Sequence, residues 1–150
     1  VPPGERERWL RAAYLHDALR DADPQVLAGL APDPWGIPAL WHGPAAAAAA
    51  AGDGEKDRGI LDAVRYHSVG YAGWDDVGRM LYLADYLDPG RSFQRGERTA
   101  LAAQVPQDRS EALREVARRR LTWLLTAGSP LLKETVDFWN ALSASPPPAR

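Results

Sequence analysis

Three histidines, His16, His42 and His67, and two aspartates, Asp17 and Asp85, are the side chains whose type and placement suit chemistry. Imidazole and carboxylate without sulfur form a ligand set for Fe, Mn, Zn or Ni and do not select among them. Adjacent side chains on a helix diverge by about 100°, so His16 and Asp17 can both reach a centre beside the helix that carries them. One carboxylate can bridge two cations. Asp85 lies among Leu83, Ala84 and Leu87, where burying a carboxylate is costly unless a cation or hydrogen bonds compensate it. Two divalent ions about 3.5 to 4 Å apart lower the pKa of a bound water and neutralise phosphoryl charge, which makes hydroxide the nucleophile. Taken singly, each histidine also suits a hydrogen-bonded core position or a helix cap, and Asp85 suits an arginine partner. The set as a whole points to a metal.

A phosphoryl substrate needs cations beside such a centre. Arg20 lies one turn after His16, Arg65 lies near His67, and Arg91 follows the segment that carries Asp85; the guanidinium fork matches phosphate. Lys56 and Lys133 are the only lysines, so arginine stands at many positions without any such duty, and Arg118, Arg119 and Arg120 read as a solvated face. Tyr14, Tyr66, Tyr71, Tyr82 and Tyr86 cluster around the candidate ligands and suit either base stacking or ordinary packing. No phosphate-binding G-x-x-x-x-G-K-[ST] loop, G-x-G-x-x-G fingerprint or G-x-S-x-G elbow occurs, and a chain with no cysteine has no thiol nucleophile. Metal-assisted hydrolysis is the reaction class that remains.

Helices must position these groups. Glu5 to about Leu19 lacks Pro and Gly and places Trp9, Ala12, Ala13 and His16 on one side, so His16 faces inward. Asp23-Pro24 opens a short helix to about Leu30, with Asp23 as N-cap. After the Pro-rich loop Ala31 to Pro38, Pro44 begins a helix of alanines, Ala45 to Ala51, closed by Gly52 and able to pack closely on a neighbour. Between Glu55 and Ser68 the positions Ile60, Val64 and His67 form a buried stripe. Trp74 to Leu87 is another helix with Asp75 as N-cap and Val77, Met80, Leu81, Ala84 and Leu87 inward; Asp85 sits at the edge of that stripe. Two more helices are expected, Ser110 to Ala127 and Pro130 to Leu142, with Trp123, Leu124 and Trp139 at helical spacing, while Ser145 to Arg150 has the look of a disordered tail. No alternating segment competes with an all-α reading.

The 150 residues, 45% of them hydrophobic, suffice for one substantial core. A net charge of −2 argues against a broad basic field for nucleic acid. The longest uncharged stretch, Trp35 to Gly52, is interrupted by Pro38 and Pro44, which argues against a bilayer span. With no cysteine, the compartment expected is the cytoplasm. The opening Val1-Pro2-Pro3-Gly4 reads as a connector into a helix, as if a segment were missing upstream.

Four segments carry a family resemblance: Ala13-Tyr14-Leu15-His16-Asp17, Leu40-Trp41-His42-Gly43-Pro44, Val64-Arg65-Tyr66-His67-Ser68-Val69-Gly70, and Tyr82-Leu83-Ala84-Asp85-Tyr86-Leu87-Asp88-Pro89-Gly90-Arg91. In this order they resemble the HD-domain superfamily of metal-dependent phosphohydrolases, and within it the YqeK-type symmetrical bis(5'-nucleosyl)-tetraphosphatase family. The resemblance implies an HD-domain bundle of roughly six to eight helices over residues 1–144. It further implies a pair of divalent ions, iron first, with Mn, Zn or Ni as alternatives, and symmetrical cleavage of diadenosine tetraphosphate into two ADP by a metal-bridging hydroxide. Asp17 would bridge the ions; His42 and His67 would complete one position, His16 and Asp85 the other. Arg20 stands where the family often has a phosphate-contacting Lys and is expected to assist catalysis and bind substrate; Arg91 matches the basic residue after the last ligand. Arg65, Ser68 and Gly70 would lie near the nucleotide phosphates. The expected partners are a nucleotide or dinucleoside polyphosphate and a second copy of the chain in a homodimer, with no nucleic acid and no membrane. One departure concerns the first ligand: the superfamily carries a metal-binding histidine on a helix well before the HD pair, and no histidine precedes His16. The His16 position is then one ligand short, as expected if the domain's first helix is missing. Two other readings stay open, a phosphohydrolase of a mononucleotide or other phosphate ester, and a nucleotide-binding module without catalysis.

Overall fold

Aspartates that cap free amides set where several helices begin. The computed structural model describes residues 2–32 and 34–144, so the expected disordered tail at 145–150 lies outside the described residues. Among the described residues there are eight α-helices and one 3-10 turn (Pro38–Leu40), with no strand. The helices are α1 (Pro3–His16), α2 (Pro24–Leu30), α3 (His42–Gly52), α4 (Arg58–Tyr66), α5 (Asp76–Leu87), α6 (Arg95–Gln104), α7 (Arg109–Thr126) and α8 (Lys133–Ala144). None of them is long and apolar enough to cross a membrane. The chain divides into two compact units between Tyr82 and Leu83.

In the first unit α1, α3 and α4 pack on one another and α2 packs on α3. Ala12, Ala46, Ala47, Ile60, Ala63, Val64, Val77 and Leu81 form the core, with Trp9, Leu15 and Leu19 against its margin. The alanine run thus does what its composition allows: Ala45, Ala46, Ala47 and Ala50 are buried, and their small side chains let helix backbones approach. Asp23 accepts from the Gln25 amide at 2.8 Å and Asp75 from the Val77 amide at 3.0 Å, as N-caps should. Several boundaries differ from the expected ones: α3 begins at His42 rather than Pro44, α5 at Asp76 rather than Trp74, and α8 runs Lys133–Ala144 rather than Pro130 to Leu142. Pro3 is already helical, the fixed φ of proline suiting a first turn. Asp57 caps Gly59 and Ile60, which delays α4 from Glu55 to Arg58.

Asp57 also ties α4 to α1. Arg8 Nε donates to Asp57 Oδ2 at 2.6 Å, and Arg8 Nη2 donates to Asp57 Oδ1 at 3.0 Å and to Asp75 Oδ2 at 2.9 Å. One guanidinium therefore serves the capping residues of both α4 and α5. The bond from Arg8 holds the Asp57 carboxyl below its ordinary range, against the opposing effect of burial. A pKa lower in the folded than in the unfolded state gives stabilisation that is complete above about pH 4 and is lost as pH falls through the folded value. Asp57→Asn keeps a cap but not the charge, so it is expected to cost about 1–2 kcal/mol near neutrality. The difference in thermal midpoint from the parent protein should shrink once pH falls below the usual carboxylate range; a difference independent of pH would contradict this account.

The second unit joins α6 to α7 and α7 to α8, around Leu101, Ala112, Leu113, Val116, Ala117 and Phe138. Helix α6 was not expected, because its apolar positions are few. Leu101 and Arg98 are its buried residues, and Arg119 links it to α7 by donating to Glu115 Oε1 at 2.9 Å and to Glu97 Oε2 of α6 at 2.7 Å, so the arginine run is not uniformly a solvated face. Trp123, expected in the stripe of α7, is 68% exposed; it lies more than a turn past Ala117, the last buried residue of that helix. On α5, Leu83 and Tyr86 are buried while Ala84 is exposed, so the inward face is rotated from the one expected.

Candidate metal centre

Helix α1 ends at His16, and Asp17, at φ −108° and ψ 12°, leaves the helix as its C-cap. The expected helix to Leu19 is thus shorter, the next residues making turns through the Ala18 amide to the Leu15 carbonyl (3.2 Å) and the Arg20 amide to the Asp17 carbonyl (3.1 Å). His67 caps α4 and is buried, at 3% exposure. His42 is the first residue of α3. Three helix termini therefore converge, which is where imidazoles can point at a shared centre without interrupting a backbone ladder.

Asp17 is that centre. Its Oδ1 lies 3.5 Å from Nε2 of His42 and 3.5 Å from Nε2 of His67, while its Oδ2 lies 3.4 Å from Nε2 of His16 and 3.9 Å from Nη1 of Arg20. The ring centroids of His16 and His42 lie 5.0 and 4.9 Å from that of His67. Asp17, His42 and His67 offer ligand atoms all within 4.8 Å of one another.

The tautomers test whether these donors fit a cation. Nδ1 of His16 donates to the Ala13 carbonyl at 2.6 Å and Nδ1 of His67 to the Val64 carbonyl at 2.7 Å. A neutral imidazole that donates from Nδ1 has a bare lone pair on Nε2. Both Nε2 lone pairs thus face a carboxylate, and the His42 and His67 Nε2 atoms stand 3.1 Å apart. Acceptors facing acceptors are unfavourable unless a proton or a cation lies between them. Burial, first, and repulsion from His67, second, lower the pKa of His42, with Asp17 offsetting part of the effect, so the neutral ring that a metal requires is favoured. The backbone bonds of His16 and His67 are the orienting contacts that metal-binding histidines use. The residues fit a divalent ion.

Gly43 explains how His42 and His67 come so close. A Cβ at Gly43 would stand 2.7 Å from the Arg65 carbonyl oxygen and 3.1 Å from that of Val64, so α3 meets the α4 backbone through a residue with no side chain. After His67 the chain turns through Gly70, at φ 91°, with the Val69 and Gly70 amides both donating to the Tyr66 carbonyl at 2.9 Å. Gly70 thus has a conformational reason to be glycine. Ser68 is half-buried in this turn, and Arg65 is exposed, its guanidinium 5.3 Å over the Tyr66 ring. Tyr66 stacks on Tyr71 at 4.1 Å, so these two tyrosines pack together, whereas Tyr14 is 86% exposed.

Asp85 belongs to the second unit, where Arg91 holds it: Nη2 donates to its Oδ1 at 2.7 Å and Nε to its carbonyl at 2.9 Å. The sequence left an arginine partner open for Asp85 without singling out Arg91; the spacer role of Gly43 and the burial of Arg98 were not expected. For Gly43 the one available signal was its residue type, since a glycine inside a helix costs stability against alanine and so points to a packing reason.

The chain's all-helical fold is the one that the resemblance of its motifs implied. A protein of Clostridium acetobutylicum described as a predicted HD superfamily hydrolase involved in NAD metabolism shares it, with a TM-score of 0.78 over 97% of this chain and 92% of that one at 18% identity. In sequence the chain is similar to the symmetrical bis(5'-nucleosyl)-tetraphosphatases, the relatives its motifs resemble. It is 31% identical to that of Bacillus subtilis (strain 168) over 106 residues, 70% of this chain and 56% of that protein. It is 28% identical to that of Halalkalibacterium halodurans over 89 residues, 59% of this chain and 46% of the relative. The Staphylococcus aureus protein is 25% identical over 102 residues, 67% and 53% of the two chains. The chain spans about half the length of the curated relatives it matches. No family model matches it.

Proposed function

We propose that this protein is a metal-dependent hydrolase of dinucleoside polyphosphates that splits diadenosine tetraphosphate symmetrically into two ADP. The observation that carries the proposal is the carboxylate of Asp17, whose oxygens face separate groups, His42 and His67 on one side and His16 and Arg20 on the other. A carboxylate so placed suits a bridge between two divalent ions. The similarity to symmetrical tetraphosphatases supports the choice of substrate.

His42, His67 and Asp17 would hold one ion, and Asp17 with His16 the other; the place of Asp85 as a ligand rests on the resemblance of its motif. Iron is the ion proposed, and Mn, Zn or Ni suit the same donors. When bound, such ions supply Lewis acidity at phosphoryl oxygens and allow water to ionise near neutral pH. The backbone bonds of His16 and His67 hold their rings in the ligand tautomer. Arg20, whose side chain is 63% exposed beside Asp17, is free to swing onto a phosphate and neutralise it, and Arg91 is assigned the same task. Arg65, Ser68 and Gly70 lie on or beside the His67 turn and are assigned to the outer phosphates and ribose. Water attacks one central phosphorus, the bond from that phosphorus to the bridging oxygen breaks, and each half leaves as ADP. The compartment we assign is the cytoplasm, with a homodimer as the assembly.

The test is turnover of diadenosine tetraphosphate by the whole protein supplied with Fe or Mn, with products separated by anion exchange. ADP as the sole nucleotide product is expected. AMP with ATP, or no turnover with either metal, would sink the reading.

A further inference from the structure

Arg98 is buried, at 3% exposure, in the first turn of α6. A buried guanidinium needs several acceptors, since desolvating the charge is costly. Here the acceptors are backbone carbonyls of the connection from α5 to α6. Nε donates to the Tyr86 carbonyl at 2.9 Å, Nη1 to those of Arg91 at 2.9 Å and Phe93 at 3.0 Å, and Nη2 to that of Asp88. The cation also sits 4.5 Å over the Phe93 ring. Tyr86 lies in the last turn of α5, so Arg98 supplies a donor and a positive charge where a helix has orphan carbonyls and a negative dipole end.

The consequence falls on Arg91. Its carbonyl is held by Arg98, its amide donates to the Asp88 carbonyl at 3.1 Å, and the Asp88 carbonyl is itself held by Arg98. Both flanks of Arg91 are thereby pinned, and its side chain leaves from a fixed point to reach Asp85 at 2.7 Å. A planar fork with donors in several directions can serve four carbonyls; a lysine ammonium on a flexible stem cannot reproduce that geometry.

We propose that Arg98 is the positioning residue for the Arg91–Asp85 pair: its buried guanidinium sets the loop from which Arg91 reaches Asp85 and, on the functional reading above, a phosphate of the substrate.

The experiment uses the whole protein and two readouts, solvent exchange of the Arg91 Nε–H followed by NMR and affinity for ADP by calorimetry. In Arg98→Met the Arg91 Nε–H, which now donates to the Asp85 carbonyl, is expected to exchange at least about tenfold faster. ADP is expected to bind about tenfold more weakly, the scale of one charge-assisted hydrogen bond, and the Arg91→Ala/Arg98→Met double variant no more weakly than Arg91→Ala alone. Arg98→Lys should not restore protection; restoration would show that charge rather than the fork matters and would overturn the proposal. A folded Arg98→Met protein with a still protected Arg91 Nε–H overturns it too. Should circular dichroism show Arg98→Met to be unfolded, Phe93→Leu decides. Phe93 is 43% exposed; its replacement removes the ring under the cation and that ring's edge contact with Tyr86 but keeps the carbonyl that accepts from Arg98, and a rise in exchange supports the proposal while unchanged exchange overturns it. If Arg91→Ala leaves ADP affinity unaltered, the phosphate role of Arg91 fails, and the exchange data still decide the role of Arg98.

Discussion

Asp17→Ala is expected to reduce metal-dependent hydrolysis of diadenosine tetraphosphate by at least about a thousandfold, equivalent to about 4 kcal/mol of transition-state stabilisation. It should do so while leaving the fold nearly untouched. The asymmetry follows from position. The Asp17 side chain is 35% exposed and lies past the end of α1, so its removal opens no core cavity and breaks no helical hydrogen bond. Each of its oxygens nevertheless faces its own imidazole group, so one truncation takes a donor from both proposed ion positions. His67→Ala makes a poorer test, because at 3% exposure its loss also leaves a void and an unanswered Val64 carbonyl. Three measurements on Asp17→Ala settle the matter: turnover, bound metal by elemental analysis, and the thermal midpoint. Loss of turnover and metal with a midpoint within a few degrees is the expected outcome. Retention of the full metal content would contradict the bridging role.

What the sequence made legible was the set of groups at the centre and the helices that carry them. His16, Asp17, His42 and His67 stand at helix ends, where spacing and capping chemistry are readable, and the alanine run announced a close helix contact. The inward face of α5 was harder, since Leu81, Tyr82, Leu83, Tyr86 and Leu87 offer apolar residues all round the helix and periodicity cannot choose among them. Helix α6 was illegible for another reason. Its anchors are ionic, Arg98 to loop carbonyls and Glu97 to Arg119, and polar residues that hold an element through distant partners look the same in sequence as residues facing water. Asp85 shows the same limit: a metal and an arginine were both open as its partner, and spacing alone did not single out Arg91, six residues on, which holds it.

Gly43→Ala carries the second large expected effect, and it tests how the centre is assembled rather than what it is made of. The added methyl would lie 2.7 Å from the Arg65 carbonyl oxygen, a separation that real Cβ contacts do not adopt, and the obstacle is backbone of α4 rather than the end of a flexible side chain. One of the two helices must shift. His42 begins α3 and His67 ends α4, so any such shift opens the 3.1 Å approach of their Nε2 atoms. Overpacking of this kind typically costs about 1–3 kcal/mol, and disturbing the supports of metal ligands weakens metal affinity roughly ten- to a hundredfold. Both changes are expected together, as a lower thermal midpoint without metal and a weaker metal titration. Gly29→Ala is the matched control: Gly29 is in α2 and has nothing within 4 Å of its would-be Cβ, so alanine there should raise stability by up to about 1 kcal/mol through helix propensity and leave metal affinity alone. A Gly43→Ala protein that binds metal as tightly as the parent would mean that the centre tolerates separation of α3 from α4, and that the glycine serves packing alone.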